Sequence, residues 1–263
     1  MVEAGGVTAT VPRPWLDPIA RVRIAIIATV LAGWEAMAQS GLLYRDVVPS
    51  LGRIGDALAK LLVNLDYYWH LGVTTAEIGA ALVIGGICGL SVGLLLGANR
   101  LLARAFEPYI YYLGPTPKII FLPIMIMWFG VGPESKVAMG VVSCFFPIAL
   151  SAAAGMRQID KVLIRVGKSF RADSWQMITK IYLPAMRHPM INGVRLGLGV
   201  ALIGTLLAET KLSNRGIGFL IYQAYSVFDM PRMYAMLIVL FVLAIGANAL
   251  VSHLGGLQTI RRN

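Results

Sequence analysis

Charge is scarce in this chain. Of 263 residues only 14% are Asp, Glu, Lys or Arg, whereas 57% are hydrophobic. A soluble domain carries roughly 25% charged residues, so the deficit excludes a water-soluble core protein and points to a polytopic membrane protein. Cysteine is almost absent as well. Cys88 and Cys144 both fall inside apolar runs, which reads as burial of small hydrophobes, not as a disulfide or a metal site. The three histidines, His70, His188 and His253, have no ligand spacing. There is no P-loop, no HExxH, no clustered carboxylate pair, no nucleophile elbow and no cofactor motif. Nothing in the chain supports catalysis by this chain alone or a cofactor of its own.

Acids are the scarcer sign, 13 against 23 bases, for a net charge of +10. In a soluble protein this would point to nucleic acid. Here the bases cluster: Arg13, Arg21 and Arg23 near the start, Arg100 and Arg104 after the second apolar run, seven between 157 and 188, and Arg261 and Arg262 at the end. One topology puts all four groups on the cytoplasmic side, as the positive-inside bias requires. The charge therefore orients the chain in the bilayer, and the nucleic-acid reading drops out.

Apolar stretches long enough for about 30 Å of hydrocarbon, roughly 20 residues each, fall near 21–40, 72–98, 106–130, 135–156, 189–210 and 233–256. About six transmembrane helices, an all-α fold, with both termini inside, is the expectation. Residues 1–20 form a cytoplasmic N-terminal segment and 21–263 a single transmembrane domain, with a cytoplasmic loop at 158–188. The first span has the layout of a signal peptide, and the span count fits an uncleaved anchor. Between the first two spans, Leu51, Ile54, Leu58, Leu61, Leu62 and Leu65 recur at helical spacing and predict an outer surface helix.

Within the spans, Gly85, Gly89, Gly93 and Gly97 lie four apart on one helix face. Such a face lets another backbone approach closely; a gate or pore-lining face is the alternative. The third span carries Pro108, Pro115, Pro117 and Pro123 and is expected to be kinked beside a pathway. Ionisable residues at membrane depth usually face the protein interior or a water cavity. Lys118, Arg195 and Glu209 are the candidates for a translocation path, each with a plainer alternative: snorkelling or an ion pair for Arg195, interface or gate packing for Glu209. Glu35 and Glu77 read as helix-packing partners.

The segment 157–188 combines Arg157, Lys161, Arg165, Lys168, Arg171, Lys180 and Arg187 with Val162, Val166, Phe170, Trp175, Ile178, Ile181 and Tyr182 at roughly helical spacing. A loop with that pattern folds and offers an apolar face to a partner. Its core, SFRADSWQMITKIYLPA over 169–185, resembles the EAA loop of ABC importer permeases. Ile181, Leu183 and Pro184 match the family's I-x-L-P ending; Ser169, Ala172, Trp175 and Gln176 match its Ser, Ala, Trp and Gln. Two positions depart: Arg165 stands in place of the name-giving Glu, and Arg171 in place of the loop's glycine. Gly33-Trp34-Glu35, LPIMIMWFGVGPESK over 122–136, FFPIALSAAAGMR over 145–157, NGVRLGLG followed by LLAE within 192–209, and Gly216-Ile217-Gly218 are similar to the nitrate/taurine/sulfonate subgroup.

The resemblance covers about residues 30–256 and implies a type I ABC importer permease fold. It also implies a second copy of this chain, two ATP-binding subunits that hold ATP and Mg, and a periplasmic or extracellular substrate-binding protein, all at a bacterial inner membrane. Phe170 and its neighbours would form the coupling helix that meets the ATPase. The cargo implied is a small anion such as nitrate, a sulfonate, taurine or bicarbonate; pyrimidine or aromatic compounds are the alternative within the subgroup. A secondary transporter would call for inverted repeats and midplane carboxylates, and a membrane enzyme for clustered His, Asp or Glu. The chain offers neither pattern.

Overall fold

A computed structural model describes residues 18–41, 47–211 and 213–255. Arg13 and most of the N-terminal segment 1–20, together with Arg261 and Arg262, lie outside the described residues. Twelve α-helices follow in order: α1 (Pro18–Gln39), α2 (Leu51–Val63), α3 (Leu65–Ala98), α4 (Arg100–Leu113), α5 (Leu122–Phe129), α6 (Pro133–Arg157), α7 (Lys161–Ser169), α8 (Ser174–Gln176), α9 (Leu183–Ala185), α10 (Arg187–Lys211), α11 (Ile217–Ser226) and α12 (Met230–Leu254). A 3-10 turn, Lys118–Phe121, precedes α5, and a π-helical stretch, Met177–Tyr182, joins α8 to α9. No strand occurs among the described residues.

Among the described residues four helices, α3, α6, α10 and α12, are long and apolar enough to cross a bilayer. The third expected span is not one kinked helix. It is broken into α4 and the segment Lys118–Phe129, bent by 96° to one another, and counts as a fifth candidate span if the pair is taken as one. The cause is local: Pro115 and Pro117 flank the break, each lacking a donor, and Pro123 sits in the first turn of α5. Helix α1 is not among the qualifying spans, although its roughly 33 Å would suffice by length; Arg21, Arg23 and Glu35 fall within its 22 residues. By length and composition there are thus four candidate spans, or five with the bent pair, and α1 is long enough to complete the expected six.

The second expected span begins earlier than its hydropathy predicts, because α3 continues back to Leu65 on Asn64, whose side chain accepts from the Asp66 amide. The helix expected between the first two spans is present as α2. Ser50 caps it, and Glu35 of α1 accepts from the Leu51 amide at 2.8 Å, placing a carboxylate at a helix N-terminus. Trp34 fixes the same corner: its indole N–H donates to the Pro49 carbonyl at 3.0 Å, and its ring meets Tyr234 of α12 edge-on.

Helix α6 is the centre of the molecule, between α3 and α10. The four glycines of α3 face it. A Cβ placed on Gly89 would lie 2.9 Å from the Phe145 carbonyl oxygen, and one on Gly97 would lie 3.0 Å from that of Ala153. On the other side, Gly193, Gly197 and Gly204 of α10 meet Ser151, Ile148 and Ser143 of α6. Ala149, Ala152 and Ala153 of α6 are buried between the two neighbours. Lipid supplies no hydrophobic drive for helices to associate, so close van der Waals approach through small residues is what holds them.

Filling the α3 face should therefore break the packing. Gly89→Leu is expected to cost at least the 1–3 kcal/mol typical of overpacking, because a backbone carbonyl and not a movable side chain blocks it. Gly86→Leu, where nothing lies within 4 Å, should leave thermal stability in detergent unchanged. Equal melting of the two variants would refute the close-packing account.

Candidate coupling loop and the outer lock

The loop begins where α6 ends. Arg157 closes that helix and is paired bidentately with Glu107 of α4, one of its two contacts measuring 3.0 Å. Asp160 starts α7 by accepting from the Val162 amide at 2.8 Å. Helix α7 then ends in a tight reversal: Arg171 N–H donates to the Lys168 carbonyl and Ala172 N–H to that of Gly167, both at 3.0 Å. This 5→2, 6→1 pair is a Schellman ending, which needs a left-handed residue at its turn and usually takes glycine there. Arg171 fills that place with φ +53°. The glycine found here in resembling loops thus has a steric reason, and this chain gives it up for a cation.

Asp173 and Gln176 form the next cap reciprocally: the Asp173 carboxylate accepts from the Gln176 amide at 2.7 Å, and the Gln176 side chain accepts from the Asp173 amide at 3.2 Å. The D-x-x-Q spacing is a legible capping-box signature, so it could have been read from the sequence as the reason for Gln176. Inside the loop, Gly167 of α7 packs on Met177 and Ile181 of the π-helical stretch. Ile164, Tyr182 and Met186 continue the contact onto Ala152 and Met156 of α6. Pro184 starts α9, and Leu183 is half-buried beside it. The opposite face is bare. Phe170 is 83% exposed and Trp175 71%, with Arg165, Lys168, Ser169 and Arg171 exposed around them. The loop therefore has a buried face joined to α6 and an aromatic, cationic face turned away from it.

The candidate path residues do not form one site. Lys118 sits at the break in the third span, where its ammonium donates to the carbonyls of Leu113 and Gly114 and lies 5.1 Å from the centroid of the Phe146 ring. It satisfies carbonyls that the break exposes. Arg195 donates to Asn248 of α12 at 3.0 Å and lines a cavity of about 640 Å³ with Asn192 and Phe241. Glu209 is fully buried. Its carboxylate accepts from Thr74 Oγ1 at 2.7 Å and from the Gly218 amide at 2.6 Å.

Glu209 belongs to a lock that sequence reasoning did not assemble. The first three amides of the α11 start each meet a buried side chain: Gly216 N–H donates to His70 Nδ1 at 3.0 Å, Ile217 N–H to Thr74 Oγ1 at 2.8 Å, and Gly218 N–H to Glu209. Orphan amides at a helix start are thus shared among α3 and α10. Gly216 has φ +95°, and a side chain there would collide with the Glu209 carboxylate. The two motifs LLAE and G-I-G are therefore halves of one contact. Among the described residues no group of His, Cys, Asp or Glu could hold a metal ion.

Residues 81–256 match the family of binding-protein-dependent transport system inner membrane components. The chain belongs to that family. It is an ABC transporter permease of the binding-protein-dependent import type, and a multi-pass membrane protein. Among its relatives, the taurine transport system permease TauC of Escherichia coli is 27% identical, over 91% of this chain and 92% of the relative. The putative aliphatic sulfonates transport permease SsuC of Bacillus subtilis is 26% identical, over 82% and 78%. The formylaminopyrimidine transport permease ThiX of Halalkalibacterium halodurans is 27% identical, over 72% and 75%. All three relatives are named as transport permeases.

Two outcomes test the permease's construction. Arg171→Gly removes a left-handed side chain and should stabilise the loop by about 1 kcal/mol, seen as slower hydrogen exchange at the Ala172 amide; unchanged exchange would mean the turn is unstrained. Glu209→Ala leaves the Thr74 hydroxyl and Gly218 amide without their partner, at about 1–3 kcal/mol each. A clear drop in melting temperature is expected, with Glu209→Gln intermediate because its amide oxygen can still accept.

Proposed function

We propose that this chain is the membrane subunit of an ATP-driven importer in a bacterial inner membrane. Two copies form the translocation path, two ATP-binding subunits carrying ATP and Mg dock on the coupling loops, and an external binding protein delivers the cargo. The bases gather at the loop end of the molecule, in Arg100, Arg104, Arg157 and the loop itself. At the other end Arg53, Lys60, Lys136, Lys211, Arg215 and Arg232 are balanced by Glu35, Asp56, Asp66, Glu77, Glu134, Glu209 and Asp229. This asymmetry supports a cytoplasmic loop end and cytoplasmic termini.

The observation that carries the reading is the two-faced loop. Phe170 and Trp175 are exposed large aromatics of the kind that anchor protein interfaces, and the face behind them is packed into α6. A push on the aromatic face is transmitted to the central helix, which both α3 and α10 grip. Arg165, Lys168 and Arg171 around the aromatics favour an acidic surface on the partner. For the cargo, Arg195 in its cavity beside Asn248 supports a small anion of the sulfonate, taurine, nitrate or bicarbonate kind. The pyrimidine compound carried by the ThiX system is the other class to be screened.

Trp175→Asp places a carboxylate on the docking face while leaving the buried face intact. Loss of a buried interface aromatic costs about 2 kcal/mol or more, which is about thirtyfold in association. The variant should insert normally but fail to retain an ATPase subunit on affinity purification, with no binding-protein-stimulated ATP hydrolysis. Retained coupling would place the docking surface elsewhere.

A further inference from the structure

A second feature at the loop end is not used by the transport reading. A cavity of about 750 Å³ opens between α4, the ends of α3 and α6, and the start of α7. Its floor is apolar: Leu96, Met156 and Ile159 are buried there. Its rim carries Arg100, Arg104 and Lys161, all exposed. Arg100 and Arg104 are four residues apart and so share one face of α4. A fourth cation in the wall, Arg157, is already held by Glu107. None of the three rim cations has an ion pair among the described residues.

Two features decide what such a cavity takes. Three converging cations suit a phosphate group, which accepts several charge-assisted hydrogen bonds. The buried apolar floor suits hydrocarbon, which a free inorganic anion does not carry. The position agrees with both. The cavity lies at the membrane-surface end of three spans, and α4 beside it exposes Phe106, Tyr109, Tyr111 and Tyr112, aromatic residues of the type that sit at headgroup level. Basic pockets between transmembrane helices at this depth suit anionic lipid headgroups.

We infer that this cavity is a binding site for one anionic phospholipid, its phosphate held by Arg100, Arg104 and Lys161 and its glycerol and upper acyl chain against the apolar floor. Because Lys161 and Ile164 belong to α7, the lipid ties the coupling loop to the bilayer. Arg104 comes from the broken span, so the same headgroup bridges the two parts. The site needs neither ATPase nor cargo, and it stands or falls separately from the importer reading.

The test is native mass spectrometry of the full chain purified in detergent, titrated with phosphatidylglycerol, with phosphatidylcholine of the same acyl chains, and with inorganic phosphate. One phosphatidylglycerol per chain should be retained in preference to phosphatidylcholine. Arg104→Ala should weaken that retention about fivefold, the equivalent of about 1 kcal/mol per cation near a membrane surface. The triple change Arg100→Ala/Arg104→Ala/Lys161→Ala should abolish the preference, whereas Lys60→Ala/Lys211→Ala/Arg215→Ala, which removes equal charge at the other end, should leave it intact. Equal retention of the two lipids, or a preference that survives the triple change, would overturn the site. Displacement of the lipid by millimolar inorganic phosphate would make it a free-anion site and overturn the lipid assignment. If the triple variant elutes as aggregate, the single Arg104→Ala result decides.

Discussion

The rest of this structure depends on how closely α6 can approach its two neighbours. In a bilayer the apolar effect that builds soluble cores is absent between helices, and contact area must come from shape. Glycines spaced four apart on α3, alanines on α6 and glycines on α10 bring three backbones together along most of the membrane depth. The resulting unit is stiff because its contacts involve main-chain atoms. A motion imposed at one end of α6 has few side-chain rotamers in which to dissipate.

Each end of that unit carries a different attachment. At one end the coupling loop is joined to α6 through Ile164, Tyr182 and Met186. At the other, Glu209, Thr74 and His70 hold the start of α11 against α3 and α10. The loop leaves aromatic and cationic groups exposed, while the lock at the other end is buried and satisfied within the chain. The two ends thus differ: one carries an exposed aromatic and cationic face, the other a buried network of hydrogen bonds. The broken third span is held to this frame through Leu122 and Met125 of α5, which pack on Met139 and Ala208, and Lys118 covers the carbonyls left by the break.

Arg171 stands against local preference. A left-handed turn favours glycine, yet a cation is placed there on the exposed face of the loop. Strain of about 1 kcal/mol is small beside the interface contacts such a residue can make. Arg165, in place of the usual acid, adds charge of the same sign nearby on the exposed face.

The sequence by itself determined the membrane class, the all-α fold, the place of the folded basic loop and the glycine face of α3. All of these rest on local periodicity and composition, which are read within a window of a few turns. It also held the capping box at Asp173 and Gln176 in plain view. Only the tertiary structure decided the rest. Thr74 and Glu209 are 135 positions apart, and Glu107 and Arg157 are 50 apart; no periodicity names such partners, because pairing follows from which helices lie side by side. The same holds for Lys118, whose partners, the carbonyls of Leu113 and Gly114, come within reach only because the chain breaks there.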